Sequence, residues 1–247
     1  MIKKAGTYLL FLGLVIMLSV LYGFTKARNG KKKVEEISVE FEEGSVPFLT
    51  HEMVNKLLIQ NQRTVKNQSK RVLDLHRLEN RVLANPYVKE ATVFITLGGL
   101  LKTQISHKQP IARVSAGKEV YYIDKHGAKI PLSSNFSARV PLVSGEKLEN
   151  NIQEITQLVQ LISADNFLKK EIIAIQKSDA NEFIFHVRSG NYVIEFGDYS
   201  DVSLKFKKIK AFYNKALKDK TINKYKTINV KYHNQVVCTK QNQDGEQ

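Results

Sequence analysis

Cysteine is nearly absent from this 247-residue chain; Cys238 stands alone. A single thiol closes no internal disulfide, so no disulfide framework stabilises the protein and its soluble part depends on buried apolar surface. Acidic residues are missing from residues 1–33, and residues 5–24 carry no charge of either sign. Catalytic signatures are missing as well. The six histidines, His51, His76, His107, His126, His186 and His233, are widely spread, with no H-E-x-x-H pair and no cysteine beside them. There is no G-x-S-x-G, no P-loop and no dinucleotide fingerprint. These absences argue against an enzyme, a cofactor or a metal centre.

What is present begins with the uncharged run Ala5 to Phe24, AGTYLLFLGLVIMLSVLYGF. At about 1.5 Å per residue, a helix of that length spans roughly 30 Å, the hydrocarbon thickness of a bilayer. A secretory signal peptide is the alternative. The run exceeds the usual h-region and no A-x-A pattern follows Phe24, so a retained anchor is expected. The flanking charge does not agree with a cytoplasmic N-terminus. Lys3 and Lys4 precede the run, whereas Lys26, Arg28, Lys31, Lys32 and Lys33 follow it. Counted strictly, the positive-inside rule puts the following side in the cytoplasm.

Net charge is +14, and those seven basic residues account for half of it. A basic juxtamembrane stretch meets anionic headgroups more often than nucleic acid. The remaining basic residues are scattered and accompany no nucleic-acid motif, so no nucleic-acid partner is expected.

Residues 25–33 read as a polar basic linker. Ile37, Val39 and Phe41 then alternate as in a half-buried strand. Thr50 caps a helix carrying Met53, Val54, Leu57 and Leu58, and Asp74 caps a second with Leu75, Leu78 and Val82 on one face. Val93, Ile95 and Leu97, the turn Gly98-Gly99, and Leu101, Thr103 and Ile105 make a hairpin. The order is β-α-α-β-β. Later, Val120 to Ile123 is a strand closed by the turn Asp124 to Gly127. Ile152, Ile155, Val159 and Ile162 form a helical stripe, and three strand-like runs follow at 172–175, 183–187 and 192–196. A second helix carries Val202, Phe206, Ile209, Tyr213 and Ala216, with Lys205, Lys207, Lys208 and Lys215 on a solvated face. A last strand alternates Ile228, Val230 and Tyr232. It leaves two readings open for residues 231–238, an ordinary strand or an edge that accepts a partner strand. Tyr232 fits a packed core aromatic as well as a contact.

Four segments, taken together, resemble the bacterial cell-division family FtsQ/DivIB. Asn85 to Val93, NPYVKEATV, is similar to the family's hPWVxxAxV stretch, with Tyr87 in place of tryptophan. Gln109 to Val114 is similar to its xPxAxv junction, and Tyr122 to Gly127 to its hIDxxG hairpin. Ile228 to Val237 resembles the terminal iDlRYxngxv strand, with Asn229 and Lys231 in place of aspartate and arginine. The resemblance spans the chain and implies an α+β fold: one N-terminal transmembrane helix, a POTRA domain (β-α-α-β-β), then a mixed β-sheet domain with flanking helices. The expected divisions are a short cytoplasmic tail (1–4), the transmembrane helix (5–24), the basic linker (25–33), the POTRA domain (34–114), the β domain (115–238) and a disordered tail (239–247).

The resemblance also implies a function. It is that of a non-enzymatic, single-pass inner-membrane scaffold of the divisome, at the septum, with the N-terminus cytoplasmic and the bulk periplasmic. Its implied partners are FtsB/FtsL-type bitopic proteins and, through the POTRA domain, other divisome components. The partner-binding positions implied by the matched terminal motif are Tyr232, Asn234, Gln235 and Val236, with Val237 beside them. A POTRA-bearing chaperone of outer-membrane assembly or secretion is the alternative. It is disfavoured by the single POTRA-like unit and the lack of a barrel-length run of strands.

Overall fold

A computed structural model describes residues 2–44, 46–60 and 63–241. The chain divides into two units, Met1–His107 and Lys108–Gln247. The fold is α+β, with one N-terminal apolar helix and a large mixed sheet.

The first unit opens with α1 (Ile2–Lys31). Its stretch Phe11–Lys31 is long and apolar enough to cross a bilayer. The helix does not stop at Phe24. The Thr25 hydroxyl donates back to Leu21 O at 2.7 Å, Lys26, Ala27 and Arg28 are good helix formers, and Arg28 and Lys31 complement the carbonyl end of the dipole. Residues 25–31, expected as a linker, are therefore helical.

Next come β1 (Glu36–Phe41), α2 (His51–Leu57), a small hairpin of β2 (Ile59–Gln60) and β3 (Arg63–Thr64), α3 (Leu75–Leu83), β4 (Val88–Ile95) and β5 (Leu100–His107). The sheet order is β1-β5-β4, with β1 parallel to β5 and β4 antiparallel to it. A parallel pair needs a crossover, and α2 and α3 lie within it. Both helix starts carry the caps expected from sequence. Thr50 accepts from Met53 N at 3.3 Å and Asp74 from Arg77 N at 3.0 Å. Leu78 and Val82 of α3 join Val54, Leu58, Leu101 and Ile105 in the core. Asn85 accepts from Tyr87 N, and the Tyr87 ring lies 5.4 Å from that of buried Phe48. Gly99 closes the β4–β5 hairpin at φ +94°, where a Cβ would stand 2.8 Å from Lys33 O. Only glycine lets the hairpin tip come this close to the chain leaving α1.

The second unit contains β6 (Pro110–Ala116), β7 (Glu119–Asp124), β8 (Lys129–Pro131), β9 (Leu142–Gly145), α4 (Ile152–Ala164), α5 (Leu168–Glu171), β10 (Ile172–Lys177), β11 (Phe183–Val187), β12 (Val193–Gly197), α6 (Val202–Lys218), β13 (Tyr225–Asn229) and β14 (Val237–Lys240). Among the described residues, nine strands run in the order β14-β13-β12-β11-β10-β9-β6-β7-β8. Residues 110–114, expected at the end of the first domain, belong here. Pro110–Ala116 pairs with β7 and β9, so the boundary falls after His107. The turn after β7 is held as its sequence implies. Asp124 Oδ1 accepts from His126 N at 2.8 Å and Ala128 N at 2.9 Å, and Gly127 takes φ +78°.

The core joins inward residues of the sheet to α4 (Ile155, Val159, Ile162) and α6 (Phe206, Ile209, Tyr213). It also contains a polar network. The Glu171 carboxyl accepts from Tyr213 Oη at 3.0 Å, from Ser189 N at 3.3 Å and from the Ser189 hydroxyl. Tyr192 Oη donates to Tyr213 Oη at 2.8 Å. Burial, more than any partner, pushes the Tyr213 phenol far above its ordinary range. Hydroxyls enclosed in this way stay protonated and act as fixed donors.

Candidate partner-binding edge

The five residues expected to bind a partner lie around one turn at the sheet's margin, and not along one strand. β13 ends at Asn229, and β14 starts at Val237. Tyr232 and Asn234 sit in the connecting turn, Gln235 and Val236 lead out of it, and Val237 opens β14. The alternation Ile228, Val230, Tyr232 therefore does not continue as strand.

Tertiary contacts end it. Asn229 Oδ1 accepts from Lys231 N at 3.0 Å. Lys208 of α6 donates from Nζ to Val230 O at 2.5 Å and Tyr232 O at 2.6 Å, so both carbonyls leave the ladder satisfied. The Lys231 stem lies over Gly197, where a Cβ would stand 2.6 Å from Lys231 Cγ. Its amine reaches Glu182 Oε2 at 3.0 Å, and that hydrogen bond is the main reason its pKa is raised. The two residues that depart from the family motif, Asn229 and Lys231, are thus engaged inside the unit.

Side chains divide into two sets. Val236 and Cys238 pack on the core, and burial raises the Cys238 thiol pKa. Tyr232 and Val237 are large hydrophobics left 50% and 43% exposed. Tyr232 is therefore not a core aromatic. Asn234 and Gln235 are exposed beside it.

The backbone adds what the side chains do not. β14 is the last strand of the sheet, and among the described residues nothing pairs with its outer side. It pairs with β13 in the register Asn229↔Val237, Ile228↔Cys238, Thr227↔Thr239. Gln241 N donates to Lys224 O at 2.9 Å, toward β13. Successive residues of a strand point their backbone groups to opposite sides, so Thr239 and Val237 also face β13. Val230 N donates to Glu195 O of β12 at 3.0 Å, which independently turns Asn229 toward β14. Cys238 and Lys240 then present N–H and C=O on the open edge. Thr239 and Lys240, expected in a disordered tail, belong to this edge. The run Val236-Val237-Cys238-Thr239, rich in β-branched residues, is the sequence signal that marks it. Residues 242–247 of the same expected tail lie outside the described residues.

A model of the family described as FtsQ/DivIB, C-terminal related, matches residues 109–239, which is more than half of the chain. The chain belongs to the FtsQ/DivIB C-terminal related family. It is a cell-division protein, in a family of non-enzymatic division scaffolds that work through divisome partners. The match begins at Gln109, just before β6, and ends within β14. The FtsQ/DivIB region is thus the nine-stranded unit, open edge included. No curated protein matches the chain. Among the described residues, no three His, Cys, Asp or Glu side chains gather as a metal site.

One further correction concerns α6. Lys205, expected on a solvated face, is buried. Its Nζ meets Asp198 Oδ1 at 2.7 Å and Asp198 O at 2.8 Å, and lies 5.0 Å from the Phe196 ring centroid. The Lys205 hydrogen bond, followed by that of Ser200, lowers the Asp198 pKa from 3.8 to about 2. A depressed folded-state pKa means that the stabilisation is present above 3.8 and is lost as pH falls toward 2. Denaturant unfolding followed down through this window should show Asp198→Asn losing less stability than the parent. Parallel acid limbs in the two proteins would remove Asp198 from the account.

Proposed function

We propose that the protein is a non-enzymatic bitopic scaffold of the bacterial divisome. It binds FtsB/FtsL-type proteins through the open edge of β14 and links early division proteins to septal peptidoglycan synthesis. One observation carries this reading: the family's C-terminal unit has, among the described residues, an unpaired strand edge with exposed Tyr232 and Val237 beside it. An added strand would take its affinity from the backbone groups of Cys238 and Lys240, and its specificity from Tyr232, Asn234, Gln235 and Val237. Val236, whose side chain packs on the core, would act by holding the turn. The first unit, whose main-sheet strands and helices follow the β-α-α-β-β order of a POTRA domain with the β2–β3 hairpin set between the helices, contributes recruitment through other divisome components.

The same reading puts the protein in the inner membrane at the septum, with α1 as a single-pass anchor, the N-terminus cytoplasmic and the bulk periplasmic. Alkaline phosphatase fused after Gln247 should be active in cells. Activity only from a reporter that works in the cytoplasm, fused at that position, would contradict this topology and with it the periplasmic scaffold.

A further inference from the structure

α1 does not enter the first unit as a free tether. Ser69 Oγ donates to Gly30 O at 2.6 Å, Lys70 N to Lys32 O at 2.9 Å and Arg71 N to Gly30 O at 3.3 Å, so the loop before α3 clasps the helix end. Two lysines then draw in the β4–β5 hairpin tip. Lys32 Nζ donates to Leu97 O at 2.9 Å, and Lys70 Nζ to Thr96 O at 2.5 Å.

The result is a basic collar built from two distant chain segments. Tyr22, Lys26, Arg28, Lys32 and Leu97 line one shallow cleft, and Lys26, Lys31, Lys70 and Arg71 line another beside it. Lys26, Arg28, Lys31, Lys32 and Arg71 are exposed. Among the described residues none of these six cations is in an ion pair, and neither contributing segment contains an acid. Leu97 is 81% exposed and shares its cleft with Tyr22, which lies inside the apolar run. The hairpin tip therefore stands level with the end of that run.

We propose that this collar docks the first unit on anionic phospholipid headgroups of the leaflet at which the apolar run of α1 ends, with Leu97 set into the interface. Charge complementarity selects the occupant, and continuity with the membrane-crossing helix holds the collar at that surface permanently. Each lysine or arginine close to such a surface adds attraction that dies away within a Debye length. The unit is then held in one orientation by two attachments, the helix and the collar. This inference rests on the helix crossing a membrane and on no property of β14.

The test uses the full chain carrying Leu97→Cys in a Cys238→Ser background, spin-labelled at residue 97 and placed in nanodiscs. Phosphatidylcholine alone is compared with phosphatidylcholine containing about 30 mol % phosphatidylglycerol. The anionic lipid should lower label accessibility to a water-soluble nickel chelate by about threefold or more. Lys26→Gln, Arg28→Gln, Lys31→Gln and Arg71→Gln together should remove the drop, while leaving Lys32 and Lys70 to hold the hairpin. Charge-conserving exchange of the same four positions, Lys to Arg and Arg to Lys, should keep it. Equal accessibility in the two lipids, or a drop that survives the Gln variant, would overturn the proposal. So would loss of the drop in the charge-conserving variant.

Discussion

Lys240→Pro should weaken capture of an FtsB-type partner by about tenfold or more while leaving the nine-stranded unit folded. Lys240 is exposed, and its N–H lies on the open side of β14, so proline there removes nothing from the pairing with β13. Proline is tolerated on an edge strand when its missing N–H faces outward. An incoming strand would lose a donor and meet the pyrrolidine ring. One backbone hydrogen bond is worth about 1 kcal/mol net, and the steric block adds to it, so binding should weaken by about tenfold or more. Cys238→Pro has the same backbone parity and should act alike, apart from a packing cost. Thr239→Pro has the opposite parity. It takes an N–H from the β13–β14 ladder, so it should loosen the edge itself and lose binding together with local protection from hydrogen exchange. The contrast separates a blocked edge from a melted one, through binding measured beside circular dichroism. Tyr232→Ala provides the side-chain comparison, since loss of an interface tyrosine can cost about 2 kcal/mol. Wild-type binding by both Lys240→Pro and Cys238→Pro would move the interface off β14.

The second large effect is on stability. Glu171→Ala should destabilise the nine-stranded unit by about 3 kcal/mol, because it takes the acceptor from the buried Tyr213 hydroxyl and leaves a cavity. For a unit of this size that is a fall in melting temperature on the order of 10 °C. Tyr213→Phe should cost less. It deprives Glu171 of one donor but keeps the ring that packs 5.0 Å from Phe167. Unchanged melting in Glu171→Ala would mean that the network contributes nothing to holding α6 against the strands. A folded unit is the precondition for the edge, since Lys208 on α6 fixes the carbonyls of Val230 and Tyr232.

Locally encoded features were legible in the sequence. The caps Thr50 and Asp74, the Gly98-Gly99 hairpin and the Asp124 turn each depend on residues within a few positions of one another. Features encoded at a distance were not. Lys205 reads as one of several lysines on α6, and only the fold delivers Asp198 and Phe196 to it. The alternation through Tyr232 reads as strand, and a lysine from α6 ends it. The basic run after Phe24 reads as linker; its helix formers are local, but the loop at Ser69 to Arg71 that holds the helix end at Gly30 and Lys32 is brought there only by the fold. At the candidate site the sequence reads as strand through Tyr232, where the structure has a turn at 232–234 before β14 begins at Val237. The matched motif pointed to Tyr232, Asn234, Gln235 and Val236, with Val237 beside them; Val236 packs on the core, and Tyr232 and Val237 are the large hydrophobics left exposed. It could not say that the open edge runs from Val237 to Lys240, because that depends on which strand lies last in the sheet.

On the proposed function, the outer side of β14 receives a division partner. This is tested most directly by placing a photo-crosslinking amino acid at Val237 in the full-length protein in dividing cells and identifying what it captures. A covalent adduct with a small bitopic division protein is expected, lost in the Lys240→Pro variant. Capture of an outer-membrane barrel protein instead, or no adduct at Val237 in cells that still depend on the labelled protein for division, would contradict it.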